Sequence, residues 1–193
     1  MGVVAPAPGV DAALLERVGQ TIIEPTLAGM RALGTPFRGV LFAGLMVSPE
    51  GEPMLLEHNV RFGDPECEAL MALAQGDVGE WLASAAAGSL DPSRVRFAAG
   101  EHAVVVVLAA EGYPSAPRAG DAIARIDEAE RDPRVVVHHA GTRRDGDRLV
   151  TSGGRVLAVT ATGPSLDEAR AHAYRAADTI AFAGKHFRRD IGL

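Results

Sequence analysis

The longest uninterrupted apolar run in this sequence, residues 103–110, is eight residues long. A helix needs about 20 apolar residues to cross a bilayer, so the run is read as a strand inside a folded domain. The second half of the chain around it has the texture of a sheet. Strand-like segments fall at 94–98, 102–110, 135–139, 148–151 and 155–162, with Asp145-Gly146 and Gly153-Gly154 as hairpin turn signals. Ser165, with Glu168 three residues on, forms a capping box that opens an Ala-rich helix running to about Phe182. This predicts a small α+β domain, a mostly antiparallel sheet crossed by one long helix.

The first half reads differently. Residues 1–9 are punctuated by Pro and Gly and are expected to be loop. Val10, Leu14, Val18 and Ile22 recur every four positions, and Leu27, Met30 and Leu33 continue the stripe. That is a helix pattern, with Asp11 as N-cap, Gly34 as stop and Pro25 as a kink or break. Residues 39–47 form a nearly continuous apolar run, expected to be a strand buried on both faces. A turn at 48–52 leads to a return strand at 53–60. Asp64-Pro65 is expected to start a helix, with Asp64 as cap and Pro65 at the first helical position. A second helix follows Asp77, buries Trp81, Leu82 and Ala85, and ends near Gly88. Asp91-Pro92 marks the domain boundary, giving domains 1–92 and 93–193.

Several classes of function are excluded by composition. The formal net charge is -6 and no basic block stands out, so no nucleic-acid partner is expected. The N-terminus has no basic segment before an apolar stretch, hence no secretory signal. With Cys67 as the single cysteine, no intrachain disulfide can form, which suits a reducing cytosol, and no membrane partner is expected. A cytoplasmic protein is the expectation.

The segment that carries chemistry is 55–66, LLEHNVRFGDPE. On a strand, side chains alternate faces, so Glu57, Asn59 and Arg61 are expected on one face, with His58 and Val60 on the other. Glu and Asn supply hard oxygen ligands suited to Mg²⁺, which keeps waters and bridges nucleotide phosphates. Arg61 suits a phosphate oxygen through charge-assisted hydrogen bonds. Gly63 allows close backbone approach, and the following helix offers free N–H groups to an anion. The same row also fits an ordinary solvated strand face, and Asp64 fits a helix cap equally well. His58 reads as a packed or surface histidine and Cys67 as a core residue.

The string EHNVRFGDPE resembles the E-F-N-x-R-F-G-D-P-E signature of phosphoribosylamine–glycine ligases. MGVVAPAP is similar to that family's M-G-A-Y-S-P-A-P segment, and FRGVLFAGLMV to its Y-x-G-x-L-Y-A-G-L-M strand. EGYP, HHAGT, SGGRVLAVTATG and the closing FRRDIG match, in order, motifs of its C-terminal domain. The matches run along the whole chain but cover about half of a family member. The resemblance implies the C-terminal part of an ATP-grasp fold followed by a small α+β domain. It implies ATP-dependent joining of glycine to phosphoribosylamine through a glycyl phosphate. The cofactor is Mg²⁺ or Mn²⁺, ATP is co-substrate, and the remaining partners are small-molecule substrates.

Carried over by motif, Glu57 and Asn59 correspond to metal ligands, Arg61 to a phosphate-facing and catalytic position, and Asp64 to a catalytic position. Gly63 and Glu66, with Arg61, fall among the nucleotide-binding positions. His58 replaces the usual aromatic and Glu68 the common Gln. The family's Gly-rich loop, ATP-binding lysine and adenine hinge precede Met1. A truncated gene model, a split gene or a misplaced start codon is the expected reason, and a complementary N-terminal polypeptide the expected partner. Residues 1–90 are expected to be marginal alone, and 95–193 to fold independently. The competing readings are a non-catalytic remnant or subunit, and another carboxylate–amine ligase of the same superfamily. HHAGT and SGGRVLAVTATG speak against the second.

Overall fold

A computed structural model describes all 193 residues. Along the chain run β1 (Gly2–Ala5), α1 (Ala12–Val18), a π-helical turn (Gly19–Ile23), α2 (Glu24–Ala32), β2 (Phe42–Val47) and β3 (Pro53–Asn59). They are followed by α3 (Glu66–Leu73), β4 (Ala74–Gln75), α4 (Val78–Ala87), a 3-10 turn (Pro92–Arg94), β5 (Arg96–Phe97) and β6 (His102–Ala109). Last come α5 (Ile126–Ala129), β7 (Val135–His139), β8 (Thr142–Asp145), β9 (Arg148–Thr151), β10 (Arg155–Gly163) and α6 (Leu166–Thr179). They form two compact units. One contains Met1–Pro6, Asp64–Ala74 and Phe97–Leu193; the other contains Ala7–Gly63 and Gln75–Arg96.

The first unit is built on a four-stranded antiparallel sheet in the order β1-β6-β10-β7. From Ala103 to Ala109 every residue of β6 is buried, because both faces of the sheet are covered. On one face, Val104, Val106 and Leu108 belong to a core with Ala169, Ala173, Ala176 and Ala177 of α6. Those alanines recur at helical spacing, so the helix presents one small, apolar stripe to the strands. On the other face, Ala69 and Leu73 of α3 pack with Ala103, Val105 and Ala158.

Residues 2–5, read from sequence as loop, are instead the edge strand of this sheet, with Gly2 opposite Val106 and Ala5 opposite Ala103. Four residues are too few to show a period; the open edge of β6 makes the strand. A Cβ on Gly2 would lie 2.5 Å from the Val105 carbonyl oxygen and 2.7 Å from the Ile191 side chain, so the register admits only glycine there. A segment beginning at residue 95 would lack both β1 and α3, and with them one edge and one face of its sheet.

Other local readings need correction. The Gly153-Gly154 turn does not make a hairpin, because β9 pairs with β8 while β10 pairs with β6 and β7. The Asp145-Gly146 signal does close one, with Asp145 opposite Arg148 and Gly146 at φ 61. The last helix stops at Thr179 and not near Phe182. There the Lys185 ammonium donates to the carbonyls of Ala177 and Ile180, satisfying acceptors that the helix end leaves open. Its N-terminus is as predicted: the Ser165 side chain accepts from the Glu168 N–H. Ser165→Ala is expected to lower stability by about 1 kcal/mol, read as a drop in the urea midpoint at unchanged slope.

In the second unit, Asp11 caps α1 by accepting from the Leu14 N–H at 2.8 Å. Pro25 does not break the helix. It stands in the first turn of α2, directly after the π-helical turn, which absorbs the hydrogen bond that proline cannot donate. Gly34, at φ 77, ends the helix as expected, donating to the Arg31 carbonyl. The hairpin of β2 and β3 forms, but β2 is not buried on both faces. Met46 is 54% exposed and Leu56 of its partner 65%. An apolar run reports affinity for a layer, and within this unit only one face of the hairpin has a helix against it. Helix α4 is capped by Asp77 and closed by left-handed Gly88. It buries Trp81 but leaves Leu82 44% exposed, since one face of a helix turns inward and not two adjacent residues.

Candidate functional site

Strand β3 carries the metal-ligand candidates at its C-terminal end, in the second unit. Glu57 lies opposite Gly44 and Asn59 opposite Phe42. The register slips between Gly44 and Leu45, where Leu55 and not Leu56 is the next partner on β3. Such a bulge re-aims the side chains that follow it. Gly44 matters to this placement, because a Cβ there would come within 3.2 Å of the Glu57 Cγ.

Beyond the bulge the alternation holds. His58 turns toward α2, where its ring lies 3.1 Å from the Thr26 hydroxyl and 3.2 Å from the Phe42 carbonyl oxygen. Glu57 and Asn59 project from the opposite face and touch: the Asn59 amide donates to Glu57 Oε1 at 3.1 Å. Both are accessible, Glu57 exposed and Asn59 half-buried. The pair fits a divalent cation of the hard class. One Glu57 oxygen is free of that contact, and rotation of the Asn59 amide brings its own oxygen beside it. Two protein oxygens would suit Mg²⁺, which gives up its waters reluctantly and takes few ligands from protein.

Arg61 does not continue the row. The strand ends at Asn59, so the period-two argument stops two residues short. The Arg61 guanidinium is exposed and donates to the neighbouring Phe62 carbonyl at 2.8 Å. Gly63 is buried.

The second half of the motif, from Asp64, belongs to the other unit. Asp64 is not the cap of α3. That helix begins at Glu66, with Pro65 in the cap position and no side-chain cap. The Asp64 carboxylate is engaged elsewhere: Arg155 Nη2 donates to Oδ2 at 3.0 Å and Arg155 Nη1 to the Asp64 carbonyl at 3.1 Å. A guanidinium fork outcompetes the weaker pull of the helix N–H groups. Glu66 and Glu68 occupy the first turn of α3. Their charges already complement the positive end of the helix and oppose a phosphate there. Glu68 also holds one buried carboxylate oxygen without a partner, the desolvation cost that the amide of a glutamine would reduce. Cys67 is half-buried, not core. Burial, and then the Glu68 and Asp64 carboxylates, push its thiol pKa up, so it is a poor nucleophile.

Arg155 is the residue that sequence reasoning missed. The string SGGRVLAVTATG drew notice as a whole, yet nothing in the spacing ties residue 155 to residue 64. Cavities give no further help. One of about 520 Å³, lined by Ile123, Arg125, Asp127, His139 and Arg144 among others, includes none of the predicted site residues. No helix is long and apolar enough to cross a membrane.

Comparison with known proteins agrees with the motifs. Residues 1–67 match the model of the phosphoribosylglycinamide synthetase ATP-grasp (A) domain, and residues 103–193 that of the phosphoribosylglycinamide synthetase C domain. A phosphoribosylamine–glycine ligase of Caulobacter vibrioides is 48% identical over 196 residues, covering 100% of this chain and 45% of that protein. The crystal structure of a phosphoribosylamine–glycine ligase from Thermotoga maritima superposes with a TM-score of 0.86 at 35% identity, over 99% of this chain and 46% of that one. N5-carboxyaminoimidazole ribonucleotide synthetase of the same organism, at 17% identity and a TM-score of 0.63 over 94% of this chain and 45% of that one, shares the fold alone. This chain spans about half the length of the curated relatives it matches.

Proposed function

Since this chain belongs to the phosphoribosylamine–glycine ligase family, we propose that it serves the ATP-dependent joining of glycine to 5-phosphoribosylamine, giving glycinamide ribonucleotide for purine synthesis. The observation that carries this reading is the contact between Glu57 and Asn59 at the end of β3, two hard-ligand side chains 3.1 Å apart on one accessible face. In the proposed assignment residues 1–92 contribute to the ATP-grasp domain and residues 93–193 form the C-terminal domain.

Glu57 and Asn59 would hold a divalent cation, Mg²⁺ or Mn²⁺, which would supply positive charge for the phosphate oxygens of ATP. The reaction moves the γ-phosphoryl group to the glycine carboxylate, releasing ADP. The amine of phosphoribosylamine then attacks the acyl carbon, phosphate leaves and an amide forms. Such chemistry asks the protein mainly for placed charge and orientation. Arg61, free in solvent apart from its bond to the Phe62 carbonyl, swings its guanidinium to phosphate oxygens. By motif position, Gly63 is assigned to nucleotide binding and Asp64 to orienting the reacting groups; Glu66, whose charge opposes a phosphate at the start of α3, is not assigned to the phosphates. The half of the relatives that this chain does not span supplies the remaining contacts, and the setting is cytoplasmic; the name of one relative, from Arabidopsis thaliana, places that protein in the chloroplast.

The test is a fusion of the N-terminal half of the Caulobacter vibrioides relative to this chain. Glycinamide ribonucleotide should form only with ATP, glycine, phosphoribosylamine and a divalent cation all present. A folded fusion that makes none, beside an active intact relative, would favour a non-catalytic remnant and end the proposal.

A further inference from the structure

The motifs of the C-terminal segment come together around one side chain. Gly141 of HHAGT packs directly on the backbone of SGGR: a Cβ there would lie 2.6 Å from the Arg155 carbonyl oxygen and 2.7 Å from the Gly153 Cα. Backbone hydrogen bonds seal this contact, from the Gly141 N–H to Arg155 at 2.8 Å and from the Ser152 N–H to Gly141 at 2.7 Å. On the other side, a Cβ on Gly154 would meet the Tyr113 ring of EGYP at 2.4 Å, and the Gly154 carbonyl accepts from the Ala110 N–H at 2.9 Å. Two separate stretches thus lock the main chain at residues 153–155, one just after β6 and the other the β7–β8 connection. From that fixed base the Arg155 side chain reaches back 91 residues to Asp64.

The form of the contact is informative. The fork donates once to the carboxylate and once to the main-chain carbonyl of the same residue, so it fixes both the side chain and the backbone of Asp64. The two side chains are 40% and 57% exposed, and an ion pair so wet contributes little to global stability. Its effect is therefore local. Helix α3 holds the segment from Glu66 onward against the sheet, whereas Asp64 itself stands outside the helix and has Arg155 as its hydrogen-bond partner.

We propose that Arg155 is a positioning residue, which holds Asp64 in one orientation from the first position of β10, directly after a glycine-locked turn. Its consequence for the rate rests on the function proposed above; the restraint itself does not. This assigns a task to the C-terminal domain in the reaction. It supplies a rigid anchor for the end of the EHNVRFGDPE motif, and it touches no substrate through Arg155.

The restraint is measured on the 193-residue chain by ¹⁵N relaxation. Arg155→Ala should lower the order parameter of the Asp64 amide from about 0.85 toward about 0.6, with the β6 and β10 amides and the melting temperature unchanged. Arg155→Lys should fall between, because one ammonium cannot reproduce the planar fork. Arg143→Ala, on an exposed strand, should change nothing. An unaltered order parameter at Asp64 in Arg155→Ala overturns the proposal. The rate is measured on the fusion. There Arg155→Ala should lower kcat roughly 10–100-fold, the cost of a misplaced group, at unchanged KM for ATP, glycine and phosphoribosylamine. A raised KM with normal kcat would make Arg155 a substrate contact and also overturn it. A wild-type fusion without activity would remove the functional reading, and the relaxation result would still decide the restraint.

Discussion

Replacing Glu57 by Gln in the fusion lowers the rate of glycinamide ribonucleotide formation roughly 10²–10³-fold, the scale expected when one placed charge is withdrawn from a phosphoryl-transfer site. The substitution keeps the shape of the side chain and removes its charge. Glu57 is exposed and its neighbour across the hairpin is Gly44, so packing is untouched. The amide introduced by Glu57→Gln still offers an oxygen to the Asn59 N–H, the contact that now spans 3.1 Å. Circular dichroism should therefore be unchanged while activity collapses. Raising the metal concentration should recover part of the rate, because a neutral amide binds a hard cation more weakly without excluding it. Near-normal turnover at ordinary magnesium concentrations would sink the assignment of Glu57 as a ligand.

Leu108→Ala should produce the largest loss of stability, about 2–5 kcal/mol. Leu108 lies in β6, is 0% exposed and belongs to the core shared with α6. Truncation removes buried apolar surface and leaves a cavity that neighbours on two adjoining strands and a helix cannot all move to fill. Against a typical total of about 5–15 kcal/mol that is a large fraction, visible as a displaced urea transition by far-ultraviolet circular dichroism. Leu56→Ala is the comparison. Leu56 is a leucine in a strand as well, yet it is 65% exposed, and its truncation should stay within about 0.5 kcal/mol. Equal losses in the two variants would contradict the described burial.

The contrast between these leucines marks the limit of reading along the chain. Local rules were sufficient where local physics decides. Asp11, Asp77 and Ser165 cap helices because a side-chain oxygen reaches an N–H three residues on. Asp145-Gly146 turns a hairpin because glycine accepts positive φ. The facing of Glu57 and Asn59 away from His58 follows from strand alternation. The motif string carried the family with it. Three things needed the folded chain. Hydrophobicity could not say which runs are covered, since residues 39–47 and 103–110 are both apolar and only the second has a layer on each face. A four-residue strand at 2–5 exists because β6 leaves an open edge at that register. Arg155 finds Asp64 across 91 residues, and no period or spacing encodes a meeting between the start of one strand and the turn before a distant helix. Caps, turns and alternation are interactions within a few residues, so their energies are written in the order of the amino acids. Burial, edge pairing and long-range ion pairs are properties of which surfaces meet, and those are fixed only when the layers close.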